Sequence, residues 1–416
     1  MFNPAALFIG LRYTRAKRRN HFISFISLIS ILGIALAVMV LITVLSVMNG
    51  FDREIKKRVF SMIPPMTVSS ITGSVSDWQS LQKTLGQLPF VTGSAPFVNG
   101  QVLLNNGGAV EPSILMGILP NEETHITEIA SKMTQGSLSN LKPGAFDIVL
   151  GEELANRLGA SVGDKITVMT PQGTISPIGF TPRFKRFTVT GIFHAGSGFG
   201  FDMGLAFIHL RDAQVLLGLD QNISGLHLTI KNIYAAPQLA NTVTAQLSPD
   251  AVVTTWADTY GDFFRTLQIE KTMMFLILFL MLLVATFNTV STLVMVVSEK
   301  ESDIAILRTL GATPRTIMGV FVIQGGIVGL FGTLLGVIGG LLLSANVTTV
   351  VNGIQSLFHV ELISSDVYYV NYLPSYIEWS DVLTIGVAAL LLSLVATLYP
   401  AFRAARLDPV ESLRYE

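Results

Sequence analysis

The residue types that catalyse reactions are scattered along this chain. Its six histidines show no HExxH or comparable ligand spacing, and no GxSxG or paired-carboxylate pattern is present. The chain has no cysteine, which excludes disulfides, thiolate metal sites and a cysteine nucleophile. The histidines are therefore interpreted as structural, and neither a catalytic residue nor a metal ligand is predicted.

The stretch most similar to a nucleotide-binding loop is 159–165, which ends Gly-Asp-Lys. It lacks the Gly-Lys-Ser/Thr ending with which such loops hold phosphates. The chain is therefore predicted not to be an ATPase, and an energy source must come from another protein.

The segment 170–183 has a composition suited to contact with a partner. Its prolines are expected to prevent strand pairing and to stiffen a loop, while several other side chains are apolar. The prolines are Pro171, Pro177 and Pro182, and the apolar residues are Ile175, Ile178 and Phe180. This pattern predicts a docking loop; the alternative is a loop folded back on its own domain.

A second contact element is a short helix predicted over 302–310. Ser302 suits its N-cap, Asp303 suits the positive end of the helix dipole, and Gly311 suits the C′ position. Ile304 and Leu307 share one face. The residues expected to couple this helix to a soluble partner are Ser302, Asp303, Ile304, Leu307, Arg308 and Gly311; the alternative is a tight connector lying on lipid headgroups.

The docking loop and the short helix lie between long segments of uncharged, mainly apolar residues, which must position them. Half of the 416 residues are hydrophobic and only 13% are charged, against about 25% in a soluble domain. Four runs are long enough for helices that cross a membrane, at 22–48, 271–298, 316–343 and 382–402. The first resembles a signal peptide in having a basic leader, but its apolar run is too long, so a retained anchor is predicted.

Lys and Arg are distributed unequally around the four runs. They occur in segments 1–21, 299–315 and 403–416, whereas 344–380 has none. Since cytoplasmic loops are enriched in Lys and Arg, both termini and 299–315 are predicted inside, and 49–270 outside. Net charge is −1, and no nucleic-acid partner is expected.

The fold class predicted is an α-helical membrane protein with four transmembrane helices and one large mixed α/β domain over 49–270. Strands are predicted at 101–104, 166–169, 187–192 and 226–230, and helices at 151–158 and 211–217. The segment 344–381 is interpreted as an external loop. A short helix is predicted after Asp408, with Pro409 at its first position and Glu411 completing a capping box.

The third apolar run contains Gly325, Gly329, Gly332, Gly336 and Gly340. Small residues at this spacing allow another helix to approach closely. Tight helix packing is predicted, with the partner helix left open between this chain and another.

The order of one span, a large domain and three spans resembles the FtsX/MacB-type ABC permeases. Segments 7–13, 45–51, 303–311 and 399–416 further resemble the LolC/LolE lipoprotein-releasing permeases, and the likeness covers essentially the whole chain. The resemblance implies a bacterial inner-membrane protein with a MacB-like periplasmic core. It also implies three partners: a LolD-like ATPase that binds ATP and Mg²⁺, a LolA-like periplasmic carrier, and acylated, including triacylated, lipoproteins as substrate.

The chain resembles both permease types. The loop 171–182 looks like the carrier-binding hook of LolC, and 362–374 looks like LolE, a combination similar to the single permease LolF, which pairs with itself. LolC docks its carrier with an arginine, a glutamine and an arginine; the matching residues in this chain are Thr167, Phe184 and Lys185. Arg183 or Arg186 is the alternative cationic contact. The residues expected to dock the carrier are Pro171, Ile175, Pro177, Ile178, Phe180, Pro182, Arg183 and Lys185.

A lipid anchor needs apolar walls near the outer leaflet. The best-placed candidates lie at the external ends of spans one and two and before span four, where methionine adapts to varied ligands. They are Val44, Met48, Phe51, Phe264, Leu267, Met273 and Tyr369; the alternative for each is ordinary helix packing.

Three other functions compete with this one. An FtsX-like regulator of a periplasmic murein hydrolase would have a smaller domain without the hook, and a MacB-like exporter would carry a fused ATPase. A membrane-embedded enzyme is disfavoured because the spans contain no internal Asp, Glu, Lys, Arg or His.

Overall fold

The computed structural model describes residues 21–176, 179–196, 199–358 and 373–407, except for the side chains of 21–24, 26, 172 and 174–181. The basic N-terminal segment up to residue 20 and the helix predicted at 408–416 lie outside these ranges, as does most of the LolE-like segment. The chain divides into two compact units. We call the described residues 21–53, 267–358 and 373–407 the helical unit, and 54–266 the α/β unit.

Helices and strands alternate through the α/β unit, whereas the rest of the described chain is mainly helical. The long helices and those between them are α1 (His21–Met62), α8 (Trp256–Glu299), α9 (Glu301–Thr309), α10 (Pro314–Ala345), α11 (Val347–Phe358) and α12 (Trp379–Ala405). The strands are β1 (Met66–Ser70), β2 (Val91–Asn106), β3 (Ala109–Ile118), β4 (Met133–Gly136), β5 (Asp147–Gly151), β6 (Lys165–Ser176), β7 (Gly179–Phe193), β8 (Leu205–His209), β9 (Gly225–Ile230) and β10 (Ala251–Thr255). The remaining α-helices are α2 (Trp78–Gly86), α3 (Pro120–Glu123), α4 (Glu152–Leu158), α5 (Phe201–Gly204), α6 (Leu210–Leu217) and α7 (Ala236–Thr244).

Four helices, α1, α8, α10 and α12, are long and apolar enough to cross a membrane. Two of them extend well beyond the predicted apolar runs, α1 to Met62 and α8 back to Trp256. Hydropathy marks only where apolar side chains end, whereas a helix continues wherever the following residues tolerate it. On α1 the added turns contain the i,i+4 ion pair of Glu54 and Arg58, at 3.3 Å.

The glycines of α10 pack against two other helices of the same chain. A Cβ atom built on Gly332, Gly336 or Gly340 would lie within 3 Å of Ile34, Val38 or Ile42, which are spaced one turn apart on α1. On another face, Gly325 and Gly329 contact Thr397 and Ser393 of α12. The predicted close packing is confirmed, and its partners are within this chain.

We expect Gly336→Ala to destabilise the helical unit. The added methyl group would lie 2.6 Å from Val38 Cβ and 2.8 Å from the Ala35 carbonyl oxygen, so α1 and α10 must separate. Overpacking of this kind costs about 1–3 kcal/mol. Thermal unfolding of the detergent-solubilised protein should show a lower Tm.

Gly326→Ala is the matched control for this substitution. The nearest atom to its added methyl group, Leu394 Cδ2, is at the ordinary contact distance of 3.5 Å. Both variants gain the same helix propensity, about 1 kcal/mol. Equal melting temperatures for the two variants would contradict the packing argument.

The strands of the α/β unit form one mixed sheet in the described part of the chain. Its order is β10-β1-β9-β2-β3-β8-β5-β7-β4, and β6 pairs with both β2 and β7. All four predicted strands fall within β2, β6, β7 and β9, and both predicted helices match α4 and α6 to within one residue. Buried and more exposed residues alternate over 98–104 of β2 and 113–117 of β3, so one face of this part of the sheet meets the core while the other is more open.

The segment 344–381 is not only a loop. Its first part forms α11, which begins two residues after α10 ends, and residues 359–372 lie outside the described ranges. Residues 347–358 carry no charge and include several Val, Ile and Leu residues. When apolar residues lie on one face of such a stretch, it forms a helix if that face is covered. The segment between the third and fourth apolar runs thus contains a helix at 347–358, and its predicted external position stays a prediction.

Candidate functional site

The helix α9 packs its inner face against the helical unit. Ile304 is 1% exposed and lies in a cluster with Val297, Phe321 and Ala401. Leu307 is half-buried against the same cluster. These two residues, predicted as partner contacts, therefore anchor α9 to its own chain.

The end of α9 has the geometry predicted for it, whereas the start does not. Gly311 has φ of 98° and donates its N–H to the Arg308 carbonyl, and Ala312 N donates to the Leu307 carbonyl, a Schellman motif. Ser302 is not the N-cap: the helix begins at Glu301, and Lys300 occupies the N-cap position without a side-chain capping hydrogen bond.

Arg308 connects α9 to the last helix. Its guanidinium Nη1 donates to the Leu407 carbonyl oxygen at 2.6 Å, just beyond the end of α12. Asp303 in the first turn accepts from Lys300 Nζ at 2.8 Å. With Ile304 buried beneath it, α9 is fixed to its neighbours, so a force on α9 is passed to them.

The outer face of α9 is apolar, a feature that the sequence analysis missed. Ile306 and Leu310 lie four residues apart, on one helix face, with exposures of 49% and 79%. The spacing of Ile306 and Leu310 already indicated in the sequence that they share a helix face. Ile304 and Leu307 have a similar spacing, so the sequence did not show which pair is exposed. Only the packing shows which pair is buried and which is free to meet a partner.

The segment 170–183 is a β-hairpin and not an unpaired loop. The β6–β7 ladder continues through Thr170 opposite Arg183 and resumes at Gly173 opposite Pro182, ending at Ser176 opposite Gly179. The two extra residues on β6, Pro171 and Gln172, form a bulge. A proline at a bulge costs no ladder hydrogen bond, which is why the predicted loss of pairing is wrong. We call residues 170–183 the hook hairpin.

The residues predicted in the hook hairpin are only partly described. Pro171 and Pro182 are exposed. Ile175 and Phe180 are opposite each other in the ladder, and Pro177 and Ile178 lie outside the described residues.

The residues at the base of the hook hairpin are divided between the two faces of β7. Lys185 Nζ lies 4.2 Å from the centre of the Phe146 ring, and the Arg183 guanidinium packs on Gly218 at the end of α6. Both cations therefore already have contacts within the α/β unit. On the other face, Phe184 is 66% exposed and pairs with Met169, and Arg186 pairs with Thr167. Of the alternatives, Arg186 shares the open face with Thr167 and Phe184.

The residues predicted to contact a lipid anchor are in different environments. Val44, Met48 and Phe51 are half-buried on α1, whereas the neighbouring Leu41 and Leu45 belong to the core. On α8, Leu267 is half-buried and Met273 is 57% exposed. Tyr369 lies outside the described residues.

Phe264 is part of a packed aromatic cluster. Its ring stacks on Phe60 at 5.7 Å and meets Trp256 edge-on at 5.4 Å, and Phe60 also contacts Tyr234. Trp256 Nε1 donates to the Ile233 carbonyl at 2.9 Å. These contacts hold the start of α8 against other residues of the α/β unit, and they give Phe264 a structural role. Its predicted contact with a lipid anchor stays a prediction.

One group of ionisable residues clusters near Gly196. His194 Nδ1 lies 2.8 Å from Glu152 Oε2 and 3.1 Å from Asp202 Oδ2. Burial raises the pKa of Asp202, and hydrogen bonds from the Ala195 and Gly196 N–H groups, with the charge of His194, oppose that rise. Both carboxylate oxygens of Asp202 are occupied by backbone donors, so this group holds the turn after β7.

These features fit a membrane permease built around a MacB-like domain. Residues 27–258 match the MacB-like periplasmic core domain, and residues 275–409 match the FtsX-like permease C-terminal family. The first match covers most of α1 and the whole sheet, and the second runs from the middle of α8 through α12, so together they define the class of protein.

Relatives that match the full length of this chain identify one family within this class. The chain is 46% identical to "Lipoprotein-releasing system transmembrane protein LolC" of Neisseria meningitidis serogroup B, with 100% of both chains covered. It is 44% identical to the LolC of Xylella fastidiosa, again over 100% of both. The chain belongs to the LolC/LolE family of lipoprotein-releasing system transmembrane proteins.

The chain is similar to both members of that family. It is 35% identical to the LolE of Haemophilus influenzae, with 98% of both chains covered, and 34% identical to the LolC of the same organism, with 99% covered.

Proposed function

We propose that this chain is the transmembrane permease subunit of an ATP-driven complex that releases lipoproteins from the bacterial inner membrane. It extracts acylated lipoproteins from the outer leaflet and passes them to a LolA-like periplasmic carrier. The observation that carries this proposal is the 46% identity to a lipoprotein-releasing LolC over the full length of both chains. The chain itself is non-catalytic, and a separate LolD-like subunit binds ATP and Mg²⁺.

The charge distribution supports the orientation in the membrane. Lys and Arg surround α9 and occur in both terminal segments, which favours a cytoplasmic position for all three. The α/β unit, with the hook hairpin, then lies in the periplasm. The ATPase therefore meets α9, and the carrier meets the hairpin.

The packing of α9 supports a mechanical role. Its buried Ile304 and the hydrogen bond from Arg308 to Leu407 connect it to α8, α10 and α12. The close glycine contacts of α10 with α1 then carry any movement across the helical unit. Closure of the ATPase would thus shift the apolar helices as a packed group and expel the anchor.

The proposed function is tested by reconstitution. The chain, its ATPase and a lipoprotein labelled on its acyl chains are placed in proteoliposomes, and soluble carrier is added. Label should appear on the carrier only when ATP is present. ATP hydrolysis without any release, with all components folded, would overturn the proposal.

We propose that the acyl anchor binds where the external ends of α1 and α8 present half-buried or exposed apolar residues. A photo-crosslinker at Met48 or Met273 should capture labelled lipoprotein, because both side chains reach the surface of the helical unit. The matched control is Leu342, which is 63% exposed. It lies near the C-terminal end of α10, which the proposed orientation places on the same external side of the membrane. Equal capture at Leu342, or none at Met48 and Met273, would contradict this placement.

We propose that two copies of this chain assemble around two ATPase subunits. The support is that one sequence resembles LolC and LolE of one organism almost equally, whereas a paired system divides these features between two chains. Two-fold pairing is also the commonest symmetry. Coexpressed copies with different tags should purify together; recovery of a distinct LolC/LolE-type permease in place of the second copy would show a heterodimer.

A further inference from the structure

The open face of β2 and β3 carries apolar side chains that the core does not use. Leu103 and Ile114 are 43% and 45% exposed. The cross-strand pairs on this face are Asn99 with Met116, Gln101 with Ile114, and Leu103 with Pro112. An exposed apolar strip on a sheet marks a surface that another molecule covers.

Two cavities lie along this strip. One, of about 670 Å³, is lined by Leu103, Ile114, Met169 and the two prolines at the base of the hook hairpin. The other, of about 420 Å³, includes Met116, Phe97 and Phe199. Ile114 and Gly204 line both, so the cavities adjoin each other, and we call them together the strand groove.

The two ends of the strand groove have different surroundings. At one end it is lined by Met62, the last residue of α1, and Trp256, the first residue of α8. At the other end it reaches Met169, Pro171 and Pro182. Within the α/β unit, the groove therefore leads from the last residue of α1 and the first residue of α8 to the hook hairpin.

The length of the strand groove suits one acyl chain. From Phe97 to Leu103 along β2 is about 20 Å at ~3.3 Å per residue. An acyl chain spans half of the ~30 Å hydrocarbon core, about 15 Å. The strand groove has a methionine at each end and one in the middle, namely Met62, Met169 and Met116. Methionine side chains are flexible and can adapt to acyl chains of differing shape.

We propose that the strand groove holds an acyl chain of the lipoprotein on its way from the membrane to the hook hairpin. This inference rests on the proposed function, which requires the acyl chains to cross an aqueous space. Apolar side chains outnumber polar ones such as Asn99 and Gln101 in the lining of this groove, so it can shield a hydrocarbon chain from water. The exposed Phe184 beside Met169 extends the same strip past the end of the groove.

The first test is photo-crosslinking in the full complex. A crosslinker at Ile114, which lines both cavities, should capture lipoprotein labelled with tritiated palmitate during ATP turnover. The control is Val215 on α6, 54% exposed in the same unit but not lining either cavity. Capture of the carrier protein alone, or equal labelling at Val215, would overturn the proposal.

The second test fills the groove where its halves meet. A Cβ atom on Gly204 would have no atom within 4 Å, so Gly204→Leu should fold normally while blocking the groove. The matched control is Gly86→Leu at the end of α2, where the added group also meets nothing within 4 Å. We expect about tenfold slower transfer to the carrier for Gly204→Leu, unchanged ATP hydrolysis, and wild-type transfer for Gly86→Leu.

The outcomes separate the two proposals. If the wild-type complex releases no lipoprotein, the proposed function fails. If the wild type transfers lipoprotein and folded Gly204→Leu does so at the same rate, only the strand groove is wrong. Should Gly204→Leu fail to fold, the crosslinking at Ile114 decides.

Discussion

The variant Leu310→Glu is expected to lose its ATPase while remaining folded in the membrane. Leu310 is 79% exposed on the outer face of α9, one turn from exposed Ile306, and nothing in the helical unit covers either side chain among the described residues. Placing a carboxylate in the interface removes apolar burial and leaves a charge without a partner, a loss of about 3 kcal/mol, which weakens binding roughly 100-fold. Copurification of the ATPase and ATP-dependent release should both fall.

Two control variants make this result specific. Leu357→Glu changes a similarly exposed leucine, at 74%, on α11 at the opposite end of α10, and should leave ATPase binding unchanged. Ile304→Glu places a charge in a buried cluster and should instead lower the Tm of the permease. Retained ATPase binding and full release by Leu310→Glu would refute the assignment of this face.

Deletion of the hook hairpin should block transfer to the carrier without unfolding the chain. Thr170 and Arg183 are opposite each other in the β6–β7 ladder, so Asn-Gly can replace 171–182 and close a two-residue turn. A hairpin with fixed backbone loses little conformational freedom on docking, which favours affinity. We expect at least about tenfold less lipoprotein on the carrier, as the loss of a central contact of about 1.4 kcal/mol or more implies.

The deletion also has a matched control in the β2–β3 turn. Gly107 and Gly108 there have φ of 58° and 107°, so Gly107→Asn converts that turn to the same Asn-Gly sequence without removing a projecting element. ATP hydrolysis should be normal in both variants. Wild-type transfer by the deletion variant would show that the hairpin is only a connector, and the LolC-like function of this segment would fail with it.

The sequence was sufficient wherever a property depends on neighbours along the chain. The four apolar helices follow from runs of uncharged residues, and the end of α9 follows from Gly311, whose positive φ other residues adopt at a cost. The strands around Val102 and Val189 follow from short runs of residues that favour strands. These signals act within a few residues, so no knowledge of the fold is needed to read them.

The sequence did not determine which chemically similar residue faces a partner. Ile304 and Ile306 are both apolar residues of α9, yet one is buried among α8, α10 and α12 and the other is exposed. Phe264 and Met273 are both apolar residues of α8, but the first is fixed in an aromatic cluster. Burial of this kind depends on contacts between residues distant in the sequence.

The sequence by itself thus determined the family and the four apolar helices, and it singled out two segments as candidate partner contacts. The tertiary structure alone decided that the glycines of α10 pack on α1 and α12, that the hook is a paired hairpin with a proline bulge, and that an apolar groove follows β2 and β3. The physical reason is that periodicity specifies which residues share a face of an element, whereas what covers that face is fixed only when distant elements pack together.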